Sequence, residues 1–286
     1  MPLDDEQLAP EEAVLSIVQR SGSSFYWAMR LLPTPKRDAM FAIYAFCREV
    51  DDIADGTDMP ETKLLKLQNW RDEIEALYTG APNNLVSRAL AKPLETYQLA
   101  KEDFIAVIDG METDATHQLR LEDMDALVLY CDQVACAVGR LSNAVFGLDQ
   151  NKSIELAKYL GEALQLTNIL RDIREDAERN HVYLPKDLLT KHNINSEAVS
   201  DILKHPGLAQ VCAELAERAR QDYQQAQSII AKCDATLIRP AIIIMKIYHR
   251  LFSLLERRGW QRLDIPIKVS KAWKLWLAAR ILLFKS

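Results

Sequence analysis

Two acidic clusters, Asp51-Asp52-Ile53-Ala54-Asp55 and Asp172-Ile173-Arg174-Glu175-Asp176, each set carboxylates one helical turn apart inside otherwise apolar sequence. On a helix, positions four apart share a face at roughly 6 Å. Asp51 and Asp55 therefore point one way, as do Asn168, Asp172 and Asp176. Like charges so placed repel, and a cation that neutralises them relieves the cost. Mg²⁺ takes hard oxygen ligands and is commonly held by one or two carboxylates together with substrate phosphates. Two such helices facing each other could hold a diphosphate through two or three ions. Taken singly, either acidic pair reads more readily as a solvated face or a helix end.

The neighbours of the clusters shift that balance. Tyr44 and Arg48 precede the first cluster on the stripe of Asp51, Asp52 and Asp55, and Gln165 and Asn168 precede the second, with Arg171 and Glu175 beside it. An arginine next to a metal-binding acid supplies the planar fork that recognises a phosphate in two contacts. Arg48 alone could equally pair with Asp52 along the helix, at a few tenths of a kcal/mol. The recurrence of the pattern favours metal and diphosphate.

The elements that must position these groups read as helices. Only 9 Gly and 11 Pro occur among 286 residues that are 49% hydrophobic, and apolar positions recur at three and four. Helices are expected over 11 to 20, 24 to 32, 36 to 55, 61 to 79, 85 to 99, 102 to 116, 123 to 146, 152 to 178, 185 to 190, 196 to 204, 207 to 232, 236 to 258 and 270 to 284. No strand-like alternation, linker or repeat stands out. The expectation is an all-α single domain, 1 to 286.

Composition excludes several classes. Five cysteines without CxxC spacing, and no secretory signal, fit a reduced cytoplasmic protein. Scattered histidines disfavour zinc, and the lack of a GxGxxG or P-loop weakens a Rossmann-type nucleotide fold. The net charge of −6 makes nucleic acid an improbable partner. Basic residues concentrate at the C-terminal end, eight from Arg257 onward against the one acid Asp264. There, residues 268 to 286 combine Lys271, Lys274 and Arg280 with Trp273, Trp276, Leu277, Ile281 and Phe284. Such a basic amphipathic tail suits peripheral contact with the inner face of a membrane, and equally docking on the protein's own core. Ala135, Ala137, Gly139, Ser142, Asn143 and Ala144 form a run of small residues that allows either close helix packing or room for a long ligand. Met111, Val134, Val138, Leu141, Leu164 and Leu166 could line such a ligand or equally be ordinary core, and carry no specific contact.

Ser23-Ser24-Phe25-Tyr26 with Leu32-Pro33, and Tyr44-Ala45-Phe46-Cys47-Arg48 before Asp51-Asp52, resemble the amino-terminal signature of the squalene and phytoene synthase family. So does Gln165-Leu166-Thr167-Asn168-Ile169-Leu170-Arg171-Asp172 through Glu175-Asp176 to Tyr183-Leu184-Pro185, as do Gly110-Met111 with Asp114 and Tyr130-Cys131 with Val134-Ala135 and Val138-Gly139. The resemblance runs from about residue 20 to 186. It implies the isoprenoid synthase fold, helices around a central cavity, and head-to-head joining of two prenyl diphosphates. By it, Asp51, Asp55, Asn168, Asp172 and Asp176 match Mg²⁺-binding positions. Ser21, Ser24, Phe25, Tyr44, Arg48, Gln165, Arg171 and Tyr248 match positions around the substrate, and Tyr44, Arg48, Asp51, Asp55 and Asp172 the catalytic ones. One departure stands out: Asn180-His181 replace the Gly-Arg of many members, so position 181 carries a cation only if its pKa is raised.

Arg239-Pro240, Tyr248, Leu255 to Trp260 and the basic stretch Lys268 to Arg280 look most like the bacterial presqualene diphosphate synthases of hopanoid biosynthesis. That branch implies farnesyl diphosphate as substrate and squalene-forming enzymes downstream, with the released diphosphate or Tyr44 taking the proton. No Gly-rich loop for NADPH is evident. Rival readings are a phytoene, dehydrosqualene or squalene synthase, and a non-catalytic helical assembly factor, which predicts decayed acids and arginines.

Overall fold

The computed structural model of the chain describes residues 9–21, 24–30, 32–270, 272–274, 276, 277 and 280, with the side chains at 24, 25 and 27 outside the description. In order, the helices are α1 (Pro10–Arg20), α2 (Ser24–Met29), α3 (Thr34–Asp55), α4 (Pro60–Tyr78), α5 (Leu85–Tyr97), α6 (Lys101–Asp114), α7 (Met124–Cys131), α8 (Ala137–Phe146), α9 (Gln150–Glu178), α10 (Lys186–Lys191), α11 (Val199–Lys204), α12 (Leu208–Ile230) and α13 (Arg239–Arg258). A π-helical turn, Asp132–Cys136, joins α7 to α8.

Local chemistry explains the starts and stops. Proline lies in the first turn of α1, α3, α4 and α13, where its missing N–H costs nothing. The side chains of Asn84, Asp123 and Asp149 cap α5, α7 and α9, accepting from the backbone N–H of Ser87 at 2.8 Å, Ala126 at 2.9 Å and Lys152 at 3.1 Å. Gly147 ends α8 at φ 85°, a left-handed turn that a side chain would strain.

The two helices that carry the acidic clusters run through the middle of the structure. In α3 the run Ala39, Met40, Phe41, Ala42 and Ile43 is buried, so the middle of the helix has almost no polar face. Phe46 meets Trp70 of α4 and Phe104 of α6 edge-on, at centroid distances of 5.4 and 5.1 Å. On α9, Leu156, Leu160, Leu166 and Leu170 are buried, with α8 and α12 packed along it and α13 crossing it.

Two findings depart from the sequence reading. The single helix expected over 123 to 146 is divided by the π turn, which is wedged between glycines. A Cβ on Gly161 of α9 would lie 2.8 Å from the Cys136 backbone, and one on Gly110 of α6 would lie 2.4 Å from Val134 Cγ1. A one-turn widening of this kind commonly marks a functional site. The second is a two-residue parallel bridge, β1 (Leu119–Arg120) with β2 (His181–Val182), pairing Leu119 with His181. Arg120 fastens it, donating to the Asn180 carbonyl at 2.7 Å and side-chain oxygen at 2.8 Å. The bridge ties the segment after α6 to the segment after α9.

Candidate active site

The C-terminal half of α3 and the last turns of α9 bring the two acidic clusters to one rim. Arg179, which ends α9, forms an ion pair with Asp55 of α3 and spans the gap between them. Arg48 reaches Asp51 at 2.9 Å and also pairs with Asp52, which is the intrahelical pairing weighed for it as the alternative to phosphate binding. Arg171 grips Asp172 with both ends of its fork, its Nε donating at 2.7 Å.

The electrostatics of this rim are strained toward negative. Burial, and then the charge of Asp55, push Asp51 up to about 6. Burial, and then Asp172 and Asp114, push Asp176 up to about 7. Burial and the neighbouring acids thus make both carboxylates harder to ionise than an ordinary aspartate, and Arg48 and Arg179 only partly offset this. Asn168 Oδ1 is buried with no hydrogen-bond partner, an oxygen left in need of one. An all-oxygen set of carboxylates with an orphan amide oxygen fits a hard divalent cation. Among the described residues no three His, Cys, Asp or Glu side chains converge tightly enough to hold an ion alone. The donors thus suit a metal shared with an anion lying between the two helices.

A second layer lies behind the rim, and the sequence reading gave it no role. Asp114, at the end of α6, accepts from Tyr183 Oη at 2.7 Å and Tyr130 Oη at 3.0 Å, whose rings pack 5.0 Å apart. Burial pushes Asp114 up to about 7, the two tyrosine hydrogen bonds opposing it. The β1–β2 bridge brings Tyr183 to Asp114. His181 is buried, faces the Thr116 carbonyl at 3.0 Å, and has its pKa lowered by burial, so position 181 supplies no cation. Arg179, two residues earlier, puts a guanidinium on the rim instead.

Behind Asn168 an apolar cavity of about 230 Å³ opens between α2, α3, α8, α9, α13 and the π turn. Gln165, Asn168 and Tyr248 stand at its polar end, while Met40, Val134, Val138, Phe146 and Leu164 line its body. Of the six apolar positions left open, Val134, Val138 and Leu164 are wall, whereas Met111, Leu141 and Leu166 are buried core. The small-residue run serves both purposes left open for it. Ala135, Gly139 and Ser142 face the cavity, and Gly139 also backs onto Ala157, where a Cβ would sit at 3.1 Å.

Tyr44 lies half-buried one turn before Arg48. Ser21 follows α1, its hydroxyl donating to the Val18 carbonyl at 2.8 Å. The side chains of Ser24 and Phe25 lie outside the described residues.

Comparison with known proteins is consistent with this geometry. The family model described as squalene/phytoene synthase matches residues 18–273. A presqualene diphosphate synthase of Rhodopseudomonas palustris is 46% identical over 254 residues, covering 89% of this chain and 91% of its own length. A phytoene synthase of Arthrospira platensis is 32% identical over 272 residues, covering 89% and 88%. Among solved structures, a dehydrosqualene synthase in complex with ligand superposes with a TM-score of 0.82 at 25% identity, covering 96% of this chain and 95% of its own.

Proposed function

The chain belongs to the squalene/phytoene synthase family, and from that premise we propose that it is a prenyltransferase joining two molecules of farnesyl diphosphate head to head to give presqualene diphosphate. The product assignment is supported by the gap between 46% identity to a presqualene diphosphate synthase and 32% to a phytoene synthase. The observation that carries the chemistry is the junction at Asn168. An apolar cavity suited to a prenyl chain ends there against an acid and arginine rim suited to a diphosphate.

Prenyl diphosphate synthases of this class generally use divalent metal ions, and here Asp51, Asp55, Asn168, Asp172 and Asp176 would hold two or three Mg²⁺. Bound there, the ions would neutralise the acids and supply Lewis-acid stabilisation of the leaving diphosphate. The arginines do the complementary work: Arg48, Arg171 and Arg179 stand at the rim to bind phosphate oxygens as negative charge grows on them. The C1–O bond of one farnesyl diphosphate breaks and its electron pair leaves with diphosphate. The allylic cation alkylates the C2=C3 bond of the second molecule, and transfer of a proton to the released diphosphate or to Tyr44 closes the cyclopropane. The apolar wall of Val134, Val138 and Leu164 keeps water from the cation. Tyr44, Gln165 and Tyr248 would border the substrate, as the family resemblance also implies for Ser21, Ser24 and Phe25, and Tyr130, Tyr183 and Asp114 form a hydrogen-bonded backing to the rim. No reductant takes part.

In this reading residues 1 to 286 act as one domain. Among the described residues no helix is long and apolar enough to cross a membrane. The tail from Lys268 makes peripheral contact with a membrane surface, which suits an enzyme that hands on a C30 lipid to squalene-forming enzymes. Asp51→Ala and Asp172→Ala test the site: each abolishes Mg²⁺-dependent release of diphosphate from farnesyl diphosphate. Turnover left intact in either variant would refute the assignment, and complete inactivity of the parent protein with every prenyl diphosphate would favour a non-catalytic helical protein.

A further inference from the structure

A groove of about 630 Å³ separates α12 and α13 from Trp273, Trp276, Leu277 and Arg280 of the tail, on the far side of α13 from the prenyl cavity. The helix has two working faces. Ala241, Ile244 and Tyr248 line the cavity, whereas Lys246, His249, Arg250 and Ser253 line the groove. Arg280 closes the groove from the tail side, its guanidinium 5.3 Å from the centre of the Trp276 ring.

Among the described residues no acid lines this groove, and Lys246, Arg250 and Arg280 have no acidic partner. That is unusual in a chain of net charge −6. The apolar half of the lining is equally specific. Trp273, Trp276 and Leu277 face Met245 and Tyr223, Leu277 is 5% exposed and anchors the tail to the core, and Trp276 is 53% exposed at the mouth. Unpaired cations beside interfacial tryptophans form the arrangement that receives a negatively charged headgroup with the start of its acyl chains. Docking the tail on the core and turning it to a membrane are then compatible, because the docked segment makes one wall of the groove.

We propose that this groove binds the headgroup of an anionic glycerophospholipid, seating the enzyme on the membrane with α13 as the common wall between lipid and prenyl cavity. The proposal rests on the reading of the tail as a membrane-contacting segment and adds to it a defined site with a charge requirement.

The test is flotation of the full chain with phosphatidylcholine vesicles, with and without phosphatidylglycerol, for the parent protein and for the double variant Lys246→Gln/Arg250→Gln. Both changes lie on α13, outside the tail. The parent should partition onto the anionic vesicles at least about tenfold better than onto neutral ones, as expected for a few cations meeting anionic lipid. The double variant should lose that preference while keeping its thermal midpoint and its vesicle-free turnover of farnesyl diphosphate. Equal binding of the parent to both vesicles would overturn the headgroup site and leave tail contact standing. Binding to neither would sink both. An undiminished preference in the double variant would also overturn it. So would stabilisation of the parent, and not the variant, by inorganic phosphate without vesicle binding, which would reassign the groove to a free anion.

Discussion

Replacing Arg179 by methionine separates a surface ion pair from a substrate contact. The Arg179 and Asp55 side chains are 48% and 45% exposed. A pair that open to water contributes about 0.2–1 kcal/mol to stability, so the thermal midpoint should fall by no more than about 3 °C. Its place between the two acidic helices predicts a much larger effect on rate. Removing one preorganised donor to a developing anionic charge costs about 10²–10³ in kcat, or about 2.7–4 kcal/mol. Arg48 and Arg171 remain, each held by acids of its own helix. Arg179→Lys keeps the charge but loses the planar fork, and should recover only part of the loss. The assay is steady-state release of diphosphate from farnesyl diphosphate, alongside a melting curve. A loss of turnover below about threefold with an unchanged midpoint would show that Arg179 is a surface ion pair and no more. A midpoint that collapses together with the rate would give it a structural role.

Two further outcomes follow from packing and charge. Gly161→Ala drives a methyl group into the Cys136 backbone, which cannot turn aside as a side chain would, and should destabilise the fold by about 1–3 kcal/mol in chemical denaturation; an unchanged midpoint would mean that the π turn is free to shift. Asp222, 7% exposed with Oδ2 unpartnered, is pushed from 3.8 up to about 7 by burial and then by Glu162, Arg218 opposing. The folded state therefore binds the extra proton between those values, so the contribution of Asp222 to stability is full below about pH 4 and is lost as the pH rises through 7. Asp222→Asn removes that decline, so its stability relative to the parent should rise by on the order of 1–3 kcal/mol between pH 5 and pH 8; parallel pH profiles would contradict it.

The acidic clusters were legible because their signal is local. Asp51 with Asp55, and Asn168 with Asp172 and Asp176, need only helical spacing to share a face, and their helices begin and end near the expected positions. What the sequence hid is what distant segments do to one another. The π turn carries no compositional mark, since the glycines that make room for it, Gly110 and Gly161, lie on other helices. Tyr183 reaches Asp114 beside a two-residue bridge too short to leave a strand pattern, and Tyr130 joins them from α7. Position 181 turned on burial, which lowers the histidine's pKa, and the guanidinium on the rim comes from Arg179. The cavity wall could not be told from core because Val134, Val138 and Leu164 are apolar in either role.

The identity of the product is read most directly from the reaction itself. Purified protein given farnesyl diphosphate and Mg²⁺ without NADPH should yield, by mass spectrometry, a C30 diphosphate with the mass of presqualene diphosphate, and one released diphosphate for each molecule formed. A C30 hydrocarbon as the sole product, or a C40 hydrocarbon from geranylgeranyl diphosphate with farnesyl diphosphate untouched, would rule out presqualene diphosphate synthesis.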